Sequence, residues 1–187
     1  MELKPRRARF LTGLFLFFSS ALLLAAQDLP AGEDGLPRVF REISLGMSLE
    51  DLKEILLRDG LFNFRGDRDV SLLPARDQSL VETTGLSFVK RAFFQLRDGR
   101  LFIMAYTLND DLVDHYSVFT SLTEKYGRPD FLSPQQTVWE RENTRLALER
   151  PLTVKYIDRE VFNSIIGESR TVESREIRRR QEFLDAF

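Results

Sequence analysis

Apolar residues along this chain alternate between two spacings, and the order of those spacings predicts the fold. Leu49, Leu52, Ile55 and Leu56 recur every three or four positions and form one helical stripe. Ser48 stands before them as a cap, with Asp51 three residues on to bond back to the Ser48 amide. Met47 and Leu52 suit the accompanying hydrophobic staple, and Gly60 is placed to stop the helix. Leu61–Phe64 reads as a weak strand that could pair with Val70–Leu73 across Gly66–Asp69. Residues 74–85 are polar and read as a long loop or irregular edge. Leu86–Leu96 and Leu101–Leu108 then flank Arg97-Asp98-Gly99-Arg100, the strongest hairpin signal in the chain, because Asp-Gly supplies the positive φ angles of a tight turn. Ala92-Phe93-Phe94 breaks the alternation there and predicts a bulge or burial on both sides.

The helical spacing returns at Leu112, Tyr116, Phe119, Leu122 and Tyr126, with caps offered by Asn109–Asp111 and a stop at Gly127 and Pro129. Three short strands follow, over Thr137–Glu142, around Leu146 and Leu148, and over Leu152–Ile157. Arg159–Ile166 reads as a short helix, and Thr171–Phe187 as a charged, surface-lying one. The whole is an α+β fold, an antiparallel sheet packed with helices. Its order allows a tandem α-β-β-β repeat.

The N-terminus changes where such a domain would work. Lys4, Arg6, Arg7 and Arg9 precede an apolar or small-residue run from Leu11 to Ala26, and the chain turns polar at Gln27. A basic region, an apolar region and small exit residues make a secretory signal, with cleavage expected after Ala26. The run is shorter than the roughly 20 residues that span a bilayer, although Leu24 is large for its place and leaves an uncleaved inner-membrane anchor as the alternative. The expected organisation is therefore a signal peptide over 1–26, a flexible linker over 27–38, an α+β domain over 39–170 and a charged C-terminal helix over 171–187. The protein is expected in the periplasm or outside the cell.

Composition narrows the function. Residues 1–26 hold four of the 27 basic residues and one of the 29 acidic ones, so the remainder carries 23 and 28, a net charge of −5. That balance speaks against nucleic acid or an anionic membrane as partner. The chain has no cysteine, which excludes disulfides, thiolate metal sites and a lipid-accepting Cys.

Ile43-Ser44-Leu45-Gly46-Met47-Ser48-Leu49-Glu50-Asp51-Leu52 resembles the opening of small periplasmic domains of the BamE/SmpA type. Tyr126-Gly127-Arg128-Pro129-Asp130 followed by Trp139 resembles the helix-to-strand passage of the same group. The related beta-lactamase-inhibitor-like fold doubles this helix-plus-sheet unit. The resemblance covers about a fifth of the chain. It implies a non-enzymatic domain that binds other envelope proteins, although the lipid-bearing role of the best-known members needs a cysteine this chain lacks.

The candidates for chemistry are weak. His115 is the single histidine, and no Gly-x-Ser-x-Gly nucleophile motif accompanies it. Asp110, Asp111 and Asp114 lack the spacing of a calcium loop and suit a helix N-terminus. Arg65-Gly66-Asp67 reads as ordinary turn chemistry, and Arg178-Arg179-Arg180 points in three directions on a helix. We therefore expect no catalytic residue, no cofactor and no metal. The expected activity is binding of another cell-envelope protein through the face of the 86–108 hairpin and the 137–157 strands, with Phe88, Phe94, Phe102, Tyr106 and Trp139 as its aromatic residues. A small apolar ligand or lipid is the alternative occupant.

Overall fold

The computed structural model describes residues 35–73 and 77–186. The elements are β1 (Val39–Phe40), β2 (Ile43–Ser44), α1 (Leu49–Arg58), a 3-10 turn (Gly66–Asp69), β3 (Val70–Leu72), β4 (Gln78–Thr84), β5 (Val89–Arg97), β6 (Arg100–Leu108), α2 (His115–Tyr126), β7 (Phe131–Leu132), β8 (Gln136–Glu140), β9 (Thr144–Glu149), β10 (Thr153–Asp158) and α3 (Arg159–Leu184). The fold is α+β. The expected signal peptide and most of the expected linker lie outside the described residues.

Eight strands form one antiparallel sheet in the order β3-β4-β5-β6-β10-β9-β8-β7. Each half is a meander preceded by a helix, and the last strands of the two meanders, β6 and β10, pair at the centre. The repeat is thus α-β-β-β-β twice. The first strand of each meander, β3 and β7, is only three and two residues long, and β7 is too short to leave a period in the sequence.

One sheet face carries the core. Val81, Phe94, Leu96, Met104, Tyr106, Trp139, Leu146, Leu148, Val154 and Tyr156 pack with Leu52, Ile55 and Leu56 of α1 and with Ile43, Phe62 and Phe64. From α2, Val118, Phe119, Leu122 and Tyr126 pack against the same cluster while staying partly exposed. Ser48 caps α1 as its sequence predicts, accepting from the Asp51 amide at 3.2 Å. The return bond differs: the Asp51 carboxylate takes the Ser48 hydroxyl at 2.6 Å, not the backbone amide.

Several boundaries differ from the sequence expectation. Helix α1 ends at Asp59 in an extended conformation, whose carboxylate accepts from the Leu61 amide at 2.9 Å and from Arg41 at 2.8 Å. A side-chain acceptor ends the helix here, where a glycine was expected to. Residues 61–64 form no strand beyond a bridge between Phe62 and Gly85, because Phe62 and Phe64 turn inward to fill the core. Most of the expected 74–85 loop is strand β4. It is polar because only Val81 and Thr83 turn to the buried side, and its ladder to β5 supplies what its own residues do not. Helix α2 begins at Asp114, not at Asn109–Asp111. Asp114 accepts from the Ser117 amide at 2.9 Å, while the Asn109 carbonyl closes a separate turn with Leu112 at 3.0 Å.

Both ends of the domain are tied by arginine. Leu36 is already buried, so the packed domain reaches into the expected linker. Arg38 reaches Asp158 at 2.5 Å and Thr144 at 3.1 Å, clamping the entering chain to β9 and β10. At the other end, the two helices expected over 159–166 and 171–187 are one 26-residue helix, and the expected boundary at residue 170 falls inside it. Gly167 costs roughly 1 kcal/mol there without breaking the helix. Arg97 bonds Ser164 at 2.8 Å and Glu168 at 2.7 Å, fixing the first turns of α3 to the end of β5.

Candidate binding face

The second face of the sheet is not covered by α1 or α2. Strands alternate, so each central strand offers it the residues between the core positions. From β4 these include Leu80, from β5 Phe93 and Gln95, from β6 Ile103, Ala105 and Thr107, and from β10 Thr153, Lys155 and Ile157. Together with Arg145 and Glu149 of β9 they line a shallow trough of about 680 Å³. Phe162, in the second turn of α3, lines it beyond one end of β10, and Pro151 lines it beyond the other.

The trough has an apolar floor and charged flanks. Lys155 pairs with Glu149 at 2.5 Å and Arg145 with Glu140 at 3.6 Å. Arg159 reaches the same Glu140 at 3.5 Å, and Arg91 pairs with Glu82 at 3.2 Å on the β4–β5 side. The Thr107 and Thr153 hydroxyls meet at 3.2 Å across the central strand pair. These charges are largely satisfied by one another, so they shape and orient an occupant more than they present a reactive group.

The aromatic residues singled out in the sequence fall elsewhere. Phe94, Tyr106 and Trp139 are fully buried on the covered face. Phe102 is buried at the bulge where the β5–β6 register shifts between Gln95 and Leu96. These four are interior and form no free surface. Phe88 is 56% exposed, but it precedes β5 and lies off the sheet strands. The open positions lie in the opposite alternation, chiefly on β4, β5 and β6, while Val138 of β8 and Ala147 of β9 are buried in that phase as well. A one-residue change of phase moves every side chain to the other side. One signal separates the two phases: the buried set is almost wholly apolar, whereas the open set mixes apolar residues with Glu82, Arg145, Glu149 and Lys155.

The remaining candidates are occupied structurally. His115 opens α2 partly buried, and burial, followed by nearby Arg150, holds its imidazole below the ordinary value. Asp110 bonds Lys90 at 3.2 Å and Asp114 caps α2. Asp67 pairs with Lys53 at 3.0 Å. Among the described residues no group of three or more His, Asp or Glu is arranged to hold a metal ion.

The family model described as the TP0088 domain matches residues 38–168. No curated protein and no solved structure matches the chain. The matched range runs from Arg38, which clamps the N-terminal strap, to Glu168, which receives Arg97. It therefore closes on the two ties that bound the packed domain and stops short of the rest of α3.

Proposed function

The chain belongs to the TP0088 domain family, and we propose that it is an exported, non-enzymatic cell-envelope protein that docks another envelope protein on the second face of its sheet. The observation that carries this reading is the uncovered trough, where Leu80, Phe93 and Ile103 stay half-buried as an apolar band between paired charges. Apolar area left open across several strands, with a polar rim, is what a protein interface offers before its partner arrives. The reading asks for no cofactor. Export rests on the basic and apolar run over residues 4–26. Among the described residues no helix is long and apolar enough to cross a membrane.

A photocrosslinking residue in place of Ile103 tests the reading in intact cells. The control replaces Leu57, which is exposed on α1 away from the sheet. We expect a discrete protein adduct from position 103 and none from 57. Equal adducts, or none from either, would remove the docking face. The trough volume also lies in the range of small-ligand sites, which supports a lipid or apolar ligand as the second reading. That occupant would travel with the purified protein as added mass in a native mass spectrum, and Ile103→Glu would abolish it.

A further inference from the structure

The charges around the trough are unevenly paired. Lys155 is matched by Glu149, Lys90 by Asp110 and Arg91 by Glu82, one acid to each base. Strand β9 differs. Arg145 stands 3.6 Å from Glu140, and Arg159 approaches the same carboxylate at 3.5 Å. One acid there faces two guanidinium groups. The Arg145 Nε is buried, and among the described residues it has no hydrogen-bond partner. A buried donor left open in this way is costly unless an acceptor arrives. Arg150 also lines the trough, and its Nε is held by a neutral acceptor, the Pro134 carbonyl, at 3.0 Å. The β9 flank is therefore cationic, in a chain whose residues 27–187 carry a net charge of −5. It calls for an acidic occupant.

The geometry of the face selects what brings the acid. Cross-strand neighbours put Phe93, Ala105 and Lys155 in one row and Gln95, Ile103, Ile157 and Arg145 in the next. Ile103 on the floor thus lies two strand spacings, about 10 Å, from Arg145 on the flank. An α-helix with its side chains is about as wide, so one helix can touch both. A sheet face, unlike a sheet edge, offers no backbone ladder, and an extended segment laid there would leave its own amides unpaired. A helix satisfies them internally. Arg145 and Arg150 are five residues apart along β9 and its exit, roughly 17 Å at the rise of a strand. Along a helix that distance is about eleven residues, three turns that return to the same side. We infer that the partner presents an acidic amphipathic helix, laid along the strands with its apolar side on Leu80, Phe93 and Ile103 and its carboxylates on Arg145 and Arg150. This rests on the docking reading and names the chemistry of the partner that reading requires.

The photocrosslinking residue at position 103 reads this out in cells, with the adduct digested and the attached fragment sequenced by mass spectrometry. We expect a fragment of net negative charge whose apolar residues recur every three or four positions. Arg150→Glu, at an exposed site, should lower the adduct yield about fivefold or more, and Arg145→Glu at least as far. Arg145→Lys combined with Arg150→Lys keeps both charges and should retain most of the yield. Arg175→Glu combined with Arg178→Glu, both exposed on α3, changes the net charge away from the trough and should leave the yield unchanged. Thermal melting of each variant should match the parent. A basic or uncharged fragment, or a yield that ignores both glutamate substitutions, would overturn the acidic helix while the docking face stands. A yield lost equally in the α3 variant would also overturn it, because net charge alone would then account for the effect. No protein adduct from position 103 in the parent chain, or a lipid adduct in its place, would remove the docking reading and this inference with it.

Discussion

Trp139 joins the end of α2 to the sheet through one side chain. Its ring is buried against Phe119, and its Nε1 donates to the Gly127 carbonyl at 2.8 Å, the residue that terminates the helix with a φ of 79°. Trp139→Ala therefore loses both the packing and the latch. The expected cost is about 3–5 kcal/mol in urea unfolding followed by circular dichroism. Trp139→Phe keeps most of the packing and strands the carbonyl, so it should cost less, about 1–3 kcal/mol. Asp130 acts on the same passage electrostatically. Its carboxylate accepts from the Glu140 amide at 2.7 Å and from Arg141 at 3.0 Å, and the amide, chiefly, holds it below the ordinary carboxylate range. A carboxyl lowered on folding stabilises above its unfolded value of about 3.9 and loses that contribution as pH falls through its folded value. Wild type and Asp130→Asn should then differ by a constant melting-temperature gap between pH 5 and 7. The gap should close in more acid solution, and its persistence there would refute the role given to the carboxylate.

Among the elements, α1 and the β4–β5 connection show how local chemistry and tertiary contact divide the work. The Ser48 cap is purely local, so Ser48→Ala should cost about 1 kcal/mol by denaturant titration. Gly85 is the opposite case. A Cβ at that position would lie 2.0 Å from the Val89 carbonyl oxygen, inside any tolerable contact. The connection between β4 and β5 cannot hold its present course with a side chain there. Gly85→Ala should destabilise by about 1–3 kcal/mol and speed amide hydrogen exchange in β4 before it does so in β6. Retained wild-type protection in β4 would show that the turn adapts.

For the molecule as a whole, the packed domain and the part of α3 beyond Glu168 should be separable. Arg97 ties the start of α3 to β5 through Glu168, and the family match ends at the same residue. A chain cut after Ser169 is therefore expected to melt within about two degrees of the full chain when both are dilute. Calorimetry of the two chains at one concentration measures it.

The sequence by itself determined the elements whose signals are local. The Ser48 cap, the Asp98-Gly99 turn with φ of 50° and 71°, and the Gly127 stop rest on contacts within a few residues. So does the strand content of 136–158, because alternation is written into each strand. The α+β class follows from these together. Tertiary structure decided what depends on distant partners. Strand β4 is polar and forms because β5 lies beside it, and Phe62 and Phe64 leave strand geometry because the core has room for them. Which alternation faces water was likewise not local. On β5 and β6 both Phe94, Met104 and Tyr106 and their neighbours Phe93 and Ile103 are apolar enough to be buried. Only the placement of α1 and α2 on one side of the sheet sends the first set inward and leaves the second as the open trough.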